Sequence, residues 1–185
     1  MSKAKLSICF ATGLALSSIV GLYPAEPGRT ERLETTATIE TASILSLDCV
    51  DADGKPSNNF EENDRGISVG RKFYRSLMRA YPGARMTCGL PQDEEPTRIP
   101  SALLLVFGLN DATAGTSPVS ITAYVDGIDR AAQLVVPGQI QTVFLDNLEG
   151  AKSIALEVEC AATTACNNWI YFTQAEVRYD RITVE

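Results

Sequence analysis

The side chains that could recognise a ligand are concentrated near residue 170, where Asn167, Asn168 and Trp169 are followed by Tyr171. A flat aromatic ring stacks on the apolar face of a sugar, and amides hydrogen-bond to the hydroxyl groups around its edge. Tyr124, on the more polar side of another alternating segment, is a further candidate aromatic. We predict that these five residues bind a ligand, and they offer the combination of aromatic ring and amides that sugar binding needs.

A packing role is the alternative for Trp169 and Tyr171. They alternate with Ile170 and Phe172, and successive side chains of a β-strand point to opposite faces of a sheet. One of the two pairs must therefore face the core. If that pair is Trp169 and Tyr171, both rings are structural and no aromatic platform remains beside the two asparagines.

Catalysis is limited by a residue type that the sequence lacks. The chain has 185 residues and no histidine, which excludes imidazole-dependent serine or cysteine triads and histidine-bound zinc. Two carboxylates could still serve as acid and base in a glycosidase, but no spacing selects such a pair. The G-x-S-x-G motif of a nucleophile elbow is also absent. We therefore predict a protein that is not an enzyme and needs no cofactor.

The charge balance disfavours two classes of partner. Lys and Arg number 16 against 23 Asp and Glu, which gives a net charge of −7. Nucleic acids and anionic membrane surfaces both need a basic face on the protein. We expect neither as a partner, and we expect contact with a membrane only through the N-terminal segment.

Residues 51–66 form an acidic, turn-rich segment whose carboxylates and amides are of the type that binds calcium. The EF-hand pattern is not met, because Pro56 stands where that loop needs glycine and Lys55 replaces an oxygen donor. The segment is therefore predicted to be a long, solvated surface loop without a metal.

The N-terminus has the pattern of an export signal. Lys3 and Lys5 precede an uncharged, mostly apolar run over residues 6–22. No clean cleavage site follows, so retention as an N-terminal anchor is the alternative. We predict an export signal or anchor over 1–25, a linker over 26–35 and a folded domain over 36–185. The protein is then expected to be secreted or held at the cell surface.

Four cysteines remain in the predicted domain, and an even number in an exported chain favours disulfide bonds. Cys160 and Cys166 are the best pair, because the five residues between them are small or polar and make a tight loop. Cys49 with Cys88 follows by elimination. The alternative is that one of the pairs stays reduced and buried.

After residue 35 the sequence predicts an all-β domain. Apolar and polar residues alternate with period two in several short segments that are separated by Gly and Pro. Residues 119, 121, 123 and 125 form one apolar face, and residues 101–109 are a nearly continuous apolar run, as in a strand buried on both sides. Gly70 and Asp126-Gly127 are predicted hairpin turns. Only residues 76–81 could hold a helical turn. The pattern favours an antiparallel β-sandwich or jelly roll.

The order of elements from Ile67 to Tyr179 resembles the NPCBM/NEW2 type of carbohydrate-binding-like domain. Three pieces carry the resemblance most specifically, and they comprise Val125, Asp126 and Gly127, then Leu145, Asp146, Gly150 and Ala151, then Trp169, Ala175 and Val177. The resemblance implies a β-sandwich of the galactose-binding-like kind, a module often attached to glycoside hydrolases. It makes carbohydrate the favoured ligand class. Together with the export signal, we expect an exported, non-catalytic binding module with a glycan or cell-surface partner. The alternative is a protein-interaction or surface-structural sandwich that has lost sugar binding.

Overall fold

The computed structural model describes residues 35–55, 59–91, 98–113, 116–161 and 166–184. The predicted export signal or anchor (1–25) lies outside these residues, and so does the predicted linker (26–35) except for Thr35. Within the described residues the chain forms β-strands and two short 3-10 helices. The strands are β1 Thr35–Ser43, β2 Cys49–Val50, β3 Phe60–Val69, β4 Lys72–Ala80, β5 Arg85–Gly89, β6 Arg98–Leu109, β7 Val119–Val125, β8 Ile128–Val135, β9 Ile140–Asp146, β10 Ser153–Cys160 and β11 Ile170–Val184.

The strands form two antiparallel sheets, which confirms the predicted β-sandwich. The large sheet has the order β3-β4-β11-β6-β9, and β1 pairs with the second half of β11. The small sheet has the order β2-β5-β10-β7-β8. The 3-10 helices cover Ile44–Ser46 and Asp111–Thr113. No helix in the described residues is both long and apolar enough to cross a bilayer.

The core lies between the inner faces of the two sheets. In β7 the residues at 119, 121, 123 and 125 are buried, as the alternation predicts. β6 pairs with β11 on one side and with the edge strand β9 on the other. In its apolar run Leu103, Leu105 and Phe107 are buried in the core, whereas Leu104 and Val106 on the outer face are half-buried. The two sheets thereby bury one continuous apolar cluster, which is the dominant stabilising contribution in a fold of this kind.

A β-bulge in β11 decides which aromatic residues face this core. Ile170 and Phe172 point inward and are fully buried. The pairing with β6 shifts register between Phe172 and Gln174, so that Ala175 and Val177 then point inward instead of the even-numbered residues. The extra residue reverses the phase of the alternation along the strand. Trp169 and Tyr171 are consequently on the outer side.

Both predicted hairpin turns are present. Val69 pairs with Lys72 across Gly70 and Arg71, and Val125 pairs with Ile128 across Asp126 and Gly127. All four central residues have positive φ angles, between 50° and 76°. Two successive positive φ values are the geometry of the tight turns that match strand twist, which glycine and aspartate tolerate.

The interpretation of residues 51–66 as one long loop is wrong in its second half. β3 begins at Phe60, which is buried, and two of its carboxylates form ion pairs with cations on β4. Glu61 binds Arg79, and Asp64 binds Arg75. Cross-strand charge pairing lets a strand carry this many acidic residues. In the loop that remains, Asp51 accepts hydrogen bonds from the amides of Asp53 and Lys55.

The helical turn predicted for residues 76–81 is also wrong. Residues 76–80 belong to β4, where Ser76, Met78 and Ala80 point inward and are buried. The segment pairs with β3 on one side and with β11 on the other. Its strand conformation is set by these long-range partners, which outweigh local propensity.

The two disulfides join the predicted pairs, Cys49 with Cys88 and Cys160 with Cys166. The first links β2 to β5 within the small sheet, where the two cysteines are direct neighbours in the register. The second closes the segment that connects β10 to the start of β11. This segment leads directly to the predicted ligand-binding residues.

Asp111 holds the tip of the β3–β4 hairpin against the rest of the domain. Its carboxylate accepts hydrogen bonds from the Ser68 hydroxyl at 2.6 Å and from the amides of Gly70 at 2.8 Å and Arg71 at 2.9 Å. The Ser68 hydroxyl, followed by the Arg71 amide, lowers the pKa of the Asp111 carboxyl.

We expect Asp111→Ala to loosen the hairpin tip in a pH-dependent way. A carboxyl whose pKa is lowered by folding stabilises the protein above its unfolded pKa, near 3.8, and loses that contribution as pH falls through the lower folded value. Amide hydrogen exchange at neutral pH should therefore show reduced protection of Gly70 and Arg71 in the variant. The difference from the unmutated protein should shrink below pH 3.8. Equal protection in the two proteins at neutral pH would contradict this role, and Asp146→Ala, at an exposed carboxylate on β9, is the control.

Candidate functional site

Trp169 and Tyr171 lie on the outer side of the large sheet, so the alternative in which this pair faces the core does not hold. Their neighbours Ile170 and Phe172 occupy the inner face. Tyr171 is directly opposite Arg79 of β4 in the register. Both aromatic side chains are partly exposed, but neither of them lines the two cavities described below.

Trp169 is held between a cation and a second aromatic ring. The guanidinium carbon of Arg79 lies 4.0 Å from the Trp169 ring centroid, within the range of a cation–π interaction. The ring of Tyr81 meets Trp169 edge-on, with the centroids 5.1 Å apart. Arg79 is itself fixed by an ion pair with Glu61, with a closest nitrogen–oxygen distance of 2.6 Å. One face of Trp169 is therefore covered by Arg79, and Trp169 acts as a support for Tyr81.

Beside Tyr81 there is an open cavity of about 490 Å³, which we call the end pocket. It is lined by Tyr81, Pro82, Gly83, Glu159, Cys160, Cys166 and Asn167. Gly83 has a φ angle of 94°, which glycine adopts without strain, and it forms the turn beside Tyr81. The Cys160–Cys166 disulfide forms part of the wall. The end pocket thus combines an aromatic ring, a carboxylate and an amide in one concave site.

The two predicted asparagines have different positions. Asn167 is exposed in the end pocket, where its side-chain oxygen accepts a hydrogen bond from the Tyr81 hydroxyl. Asn168 is only 2% exposed, and its side-chain nitrogen has no hydrogen-bond partner among the described residues. Asn167 can therefore reach a ligand, whereas Asn168 points into the interior.

Tyr124 lies apart from these residues, on the outer face of the small sheet. It borders a cavity of about 270 Å³, which we call the face groove, together with Ala52, Arg85, Thr87, Ala155 and Glu157. The Tyr124 hydroxyl donates a hydrogen bond of 2.9 Å to Glu157. This bond, followed by burial, raises the pKa of Tyr124, so the hydroxyl remains protonated and continues to donate.

Arg85 joins the face groove to the end pocket. Its guanidinium binds Glu157 in the groove and lies 3.5 Å from Glu159, which lines the end pocket. Glu157 and Glu159 are two residues apart on β10, so both project from the outer face of the small sheet. The predicted residue Tyr124 is thus connected to the end pocket through a row of polar side chains.

The chemistry available in the two cavities is hydrogen bonding and ring stacking. Carboxylates accept hydrogen bonds from hydroxyl groups, amides both donate and accept, and Tyr81 offers an aromatic surface. In the described part of the chain, no three Asp, Glu or Cys side chains are grouped so that they could hold a metal ion. The site is suited to binding a polar, hydroxyl-bearing molecule.

Sequence reasoning missed Tyr81, Glu159 and Arg85. Tyr81 directly precedes the Pro82-Gly83 turn, and an aromatic residue at such a turn is a signal that could have been used. The positions of Glu159 and Arg85 follow only from the pairing of β10 with β5. No local pattern in the sequence reveals that pairing.

The chain matches no protein-family model and no curated protein, but it is similar to solved structures of CBM51 carbohydrate-binding modules. CBM51 from Clostridium perfringens GH95, in complex with methyl-galactose, has a TM-score of 0.55 and 11% sequence identity, covering 75% of this chain and 99% of that chain. The tandem CBM51 modules of a family 98 glycoside hydrolase from Streptococcus pneumoniae have a TM-score of 0.54 and 8% identity, covering 74% of this chain and 46% of that chain.

A third similar structure comprises the M60 catalytic domain with two CBM51 domains from Clostridium perfringens ZmpB. Its TM-score is 0.51 at 13% identity, covering 82% of this chain and 19% of that chain. At these identities the likeness is one of fold. The β-sandwich of this chain is therefore the β-sandwich found in CBM51 modules.

Proposed function

We propose that this chain is a non-catalytic carbohydrate-binding module that holds a glycan in the end pocket. Tyr81 supplies the ring on which the sugar stacks, while Glu159 and Asn167 bind its hydroxyl groups. Trp169 and Arg79 keep Tyr81 in position. The observation that carries the proposal is the convergence of this ring, carboxylate and amide around one open cavity at the end of the sandwich.

Two further observations support the proposal. The fold is shared with CBM51 modules, one of which was solved with methyl-galactose. The resemblance to NPCBM/NEW2 domains points to the same class of ligand. The disulfides are in keeping with a location outside the cytoplasm, and we propose that the protein is secreted or displayed on the cell surface.

A glycan array, followed by calorimetry with the best-bound sugar, tests the function. We expect Tyr81→Ala to weaken binding about tenfold or more, because it removes the stacking surface. Tyr81→Phe keeps the ring but has no hydroxyl to donate to Asn167. Because the stacking surface remains, its loss of sugar affinity should be smaller than that of Tyr81→Ala. Trp169→Ala should also weaken binding, because Tyr81 then loses its support.

The matched control is Phe144→Ala, which removes an exposed aromatic from β9 of the large sheet. It should bind as tightly as the unmutated protein. Circular dichroism establishes that each variant is folded. If the array shows no binding to any glycan, the proposal is wrong, and the interaction or surface-structural role becomes the better interpretation.

A further inference from the structure

We infer that the face groove and the end pocket form one extended site, which takes a neutral oligosaccharide chain rather than a single sugar. The inference rests on the carbohydrate-binding function proposed above and adds the length and charge of the ligand. It is carried by the shape of the groove, by its connection to the end pocket and by the charges that line both.

Small residues make the floor of the face groove. Ala155 of β10 is directly opposite Thr87 of β5 on one side and Tyr124 of β7 on the other. Directly paired residues of an antiparallel sheet project from the same face. The methyl group of Ala155 therefore lies lower than its two neighbours. The resulting trough runs along β10, between the Tyr124 ring on one side and the Thr87 side chain on the other.

A row of polar side chains leads from the trough to the end pocket. The next row on the same face pairs Glu157 with Arg85. Arg85 reaches Glu159, which lines the end pocket together with Tyr81 and Asn167. A ligand seated at Tyr81 thus has a path along Glu159, Arg85 and Glu157 to Tyr124. A single sugar ring fills only one part of this path, whereas a chain of several rings can contact all of it.

The charges along the path favour a neutral ligand. Two carboxylates, Glu157 and Glu159, flank one cation, and that cation is already engaged by both of them. Their remaining lone pairs can accept hydrogen bonds from sugar hydroxyls. A sialic acid or sulfate group would instead meet a surplus of negative charge, in a chain whose net charge is already −7.

The test compares monosaccharides with tetrasaccharides built from the same unit, using galactose, N-acetylglucosamine and xylose, together with sialylated and sulfated forms of the galactose probes. For the unmutated protein we expect the preferred tetrasaccharide to bind about tenfold more tightly than its monosaccharide. Ala155→Trp fills the floor of the groove without touching the core. It should reduce this ratio to about twofold or less while leaving monosaccharide affinity unchanged.

Ala132→Trp is the matched control, because Ala132 is exposed on β8 of the same sheet and lies outside both cavities. This variant should keep the full ratio of tetrasaccharide to monosaccharide affinity. If Ala155→Trp does not fold, Thr87→Trp blocks the groove from the neighbouring strand and should give the same result.

The possible outcomes distinguish failure of the extended site from failure of the proposed carbohydrate-binding function. Equal affinity for monosaccharide and tetrasaccharide overturns the extended site and leaves sugar binding in the end pocket intact. The extended site is also overturned if Ala155→Trp still binds the tetrasaccharide about tenfold more tightly than the monosaccharide. A preference for sialylated or sulfated probes overturns it as well. Absence of binding to every probe and to the glycan array overturns both proposals together.

Discussion

Phe172→Ala should lower the free energy of unfolding by about 3–5 kcal/mol, the range for removing a large aromatic from a closed core. Phe172 is completely buried on the inner face of β11. Its ring centroid lies 5.5 Å from that of Phe107 and 6.1 Å from that of Phe60. The substitution leaves a cavity among these rings and the sheets cannot close over it. Denaturation in urea, followed by tryptophan fluorescence, measures the loss.

The control for this substitution is Phe73→Ala in the same sheet. Phe73 is 81% exposed, and surface substitutions usually change stability by about 0.5 kcal/mol or less. If the two variants are destabilised to a similar extent, Phe172 does not hold the central position in the core that the structure assigns to it.

Removing the Cys49–Cys88 bond with Cys49→Ala and Cys88→Ala should cost more stability than removing Cys160–Cys166 in the same way. The paired cysteines are 39 and 6 residues apart in the sequence. The entropy of closing such loops in the unfolded chain corresponds to roughly 4 kcal/mol for the first and about 2 kcal/mol for the second. Burial of Cys88 in the core adds to the first loss. Urea denaturation of the two double variants provides the comparison.

The proposed function predicts the opposite order for sugar affinity. Cys160–Cys166 forms a wall of the end pocket, whereas Cys49–Cys88 lies within the small sheet and lines neither cavity. The Cys160→Ala, Cys166→Ala double variant should therefore bind the preferred glycan more weakly while remaining the more stable protein. If one double variant shows both the larger loss of stability and the larger loss of glycan affinity, this assignment of roles is wrong.

Local sequence signals were sufficient for the sandwich, because each of them acts over a few residues. The alternation in β7 identifies its inner face directly. The turns at Gly70 and Asp126-Gly127 are recognisable because few residues accept positive φ angles. The Cys160–Cys166 pair was predictable for a similar reason, since only a short loop separates the two residues.

The features that sequence reasoning missed depend on pairing between distant segments. Glu61 and Asp64 can lie in a strand because their carboxylates form ion pairs with Arg79 and Arg75 of β4. No local pattern near residue 61 identifies those partners. The inward direction of Phe172 could not be chosen over that of Tyr171, because the bulge that follows is a property of the register with β6. The end pocket arises where β4, β10 and β11 meet, so its composition follows only from the assembled sheets.

The position of β11 in the large sheet has a consequence for how the protein comes to be folded. β11 contacts β1, β4 and β6, yet it follows all three in the sequence. Until residues 170–184 have been synthesised, the earlier strands have no central partner and their apolar faces stay open. Folds with such long-range closure assemble slowly. The nascent polypeptide should thus remain unfolded, and dependent on chaperones, until translation has passed this strand.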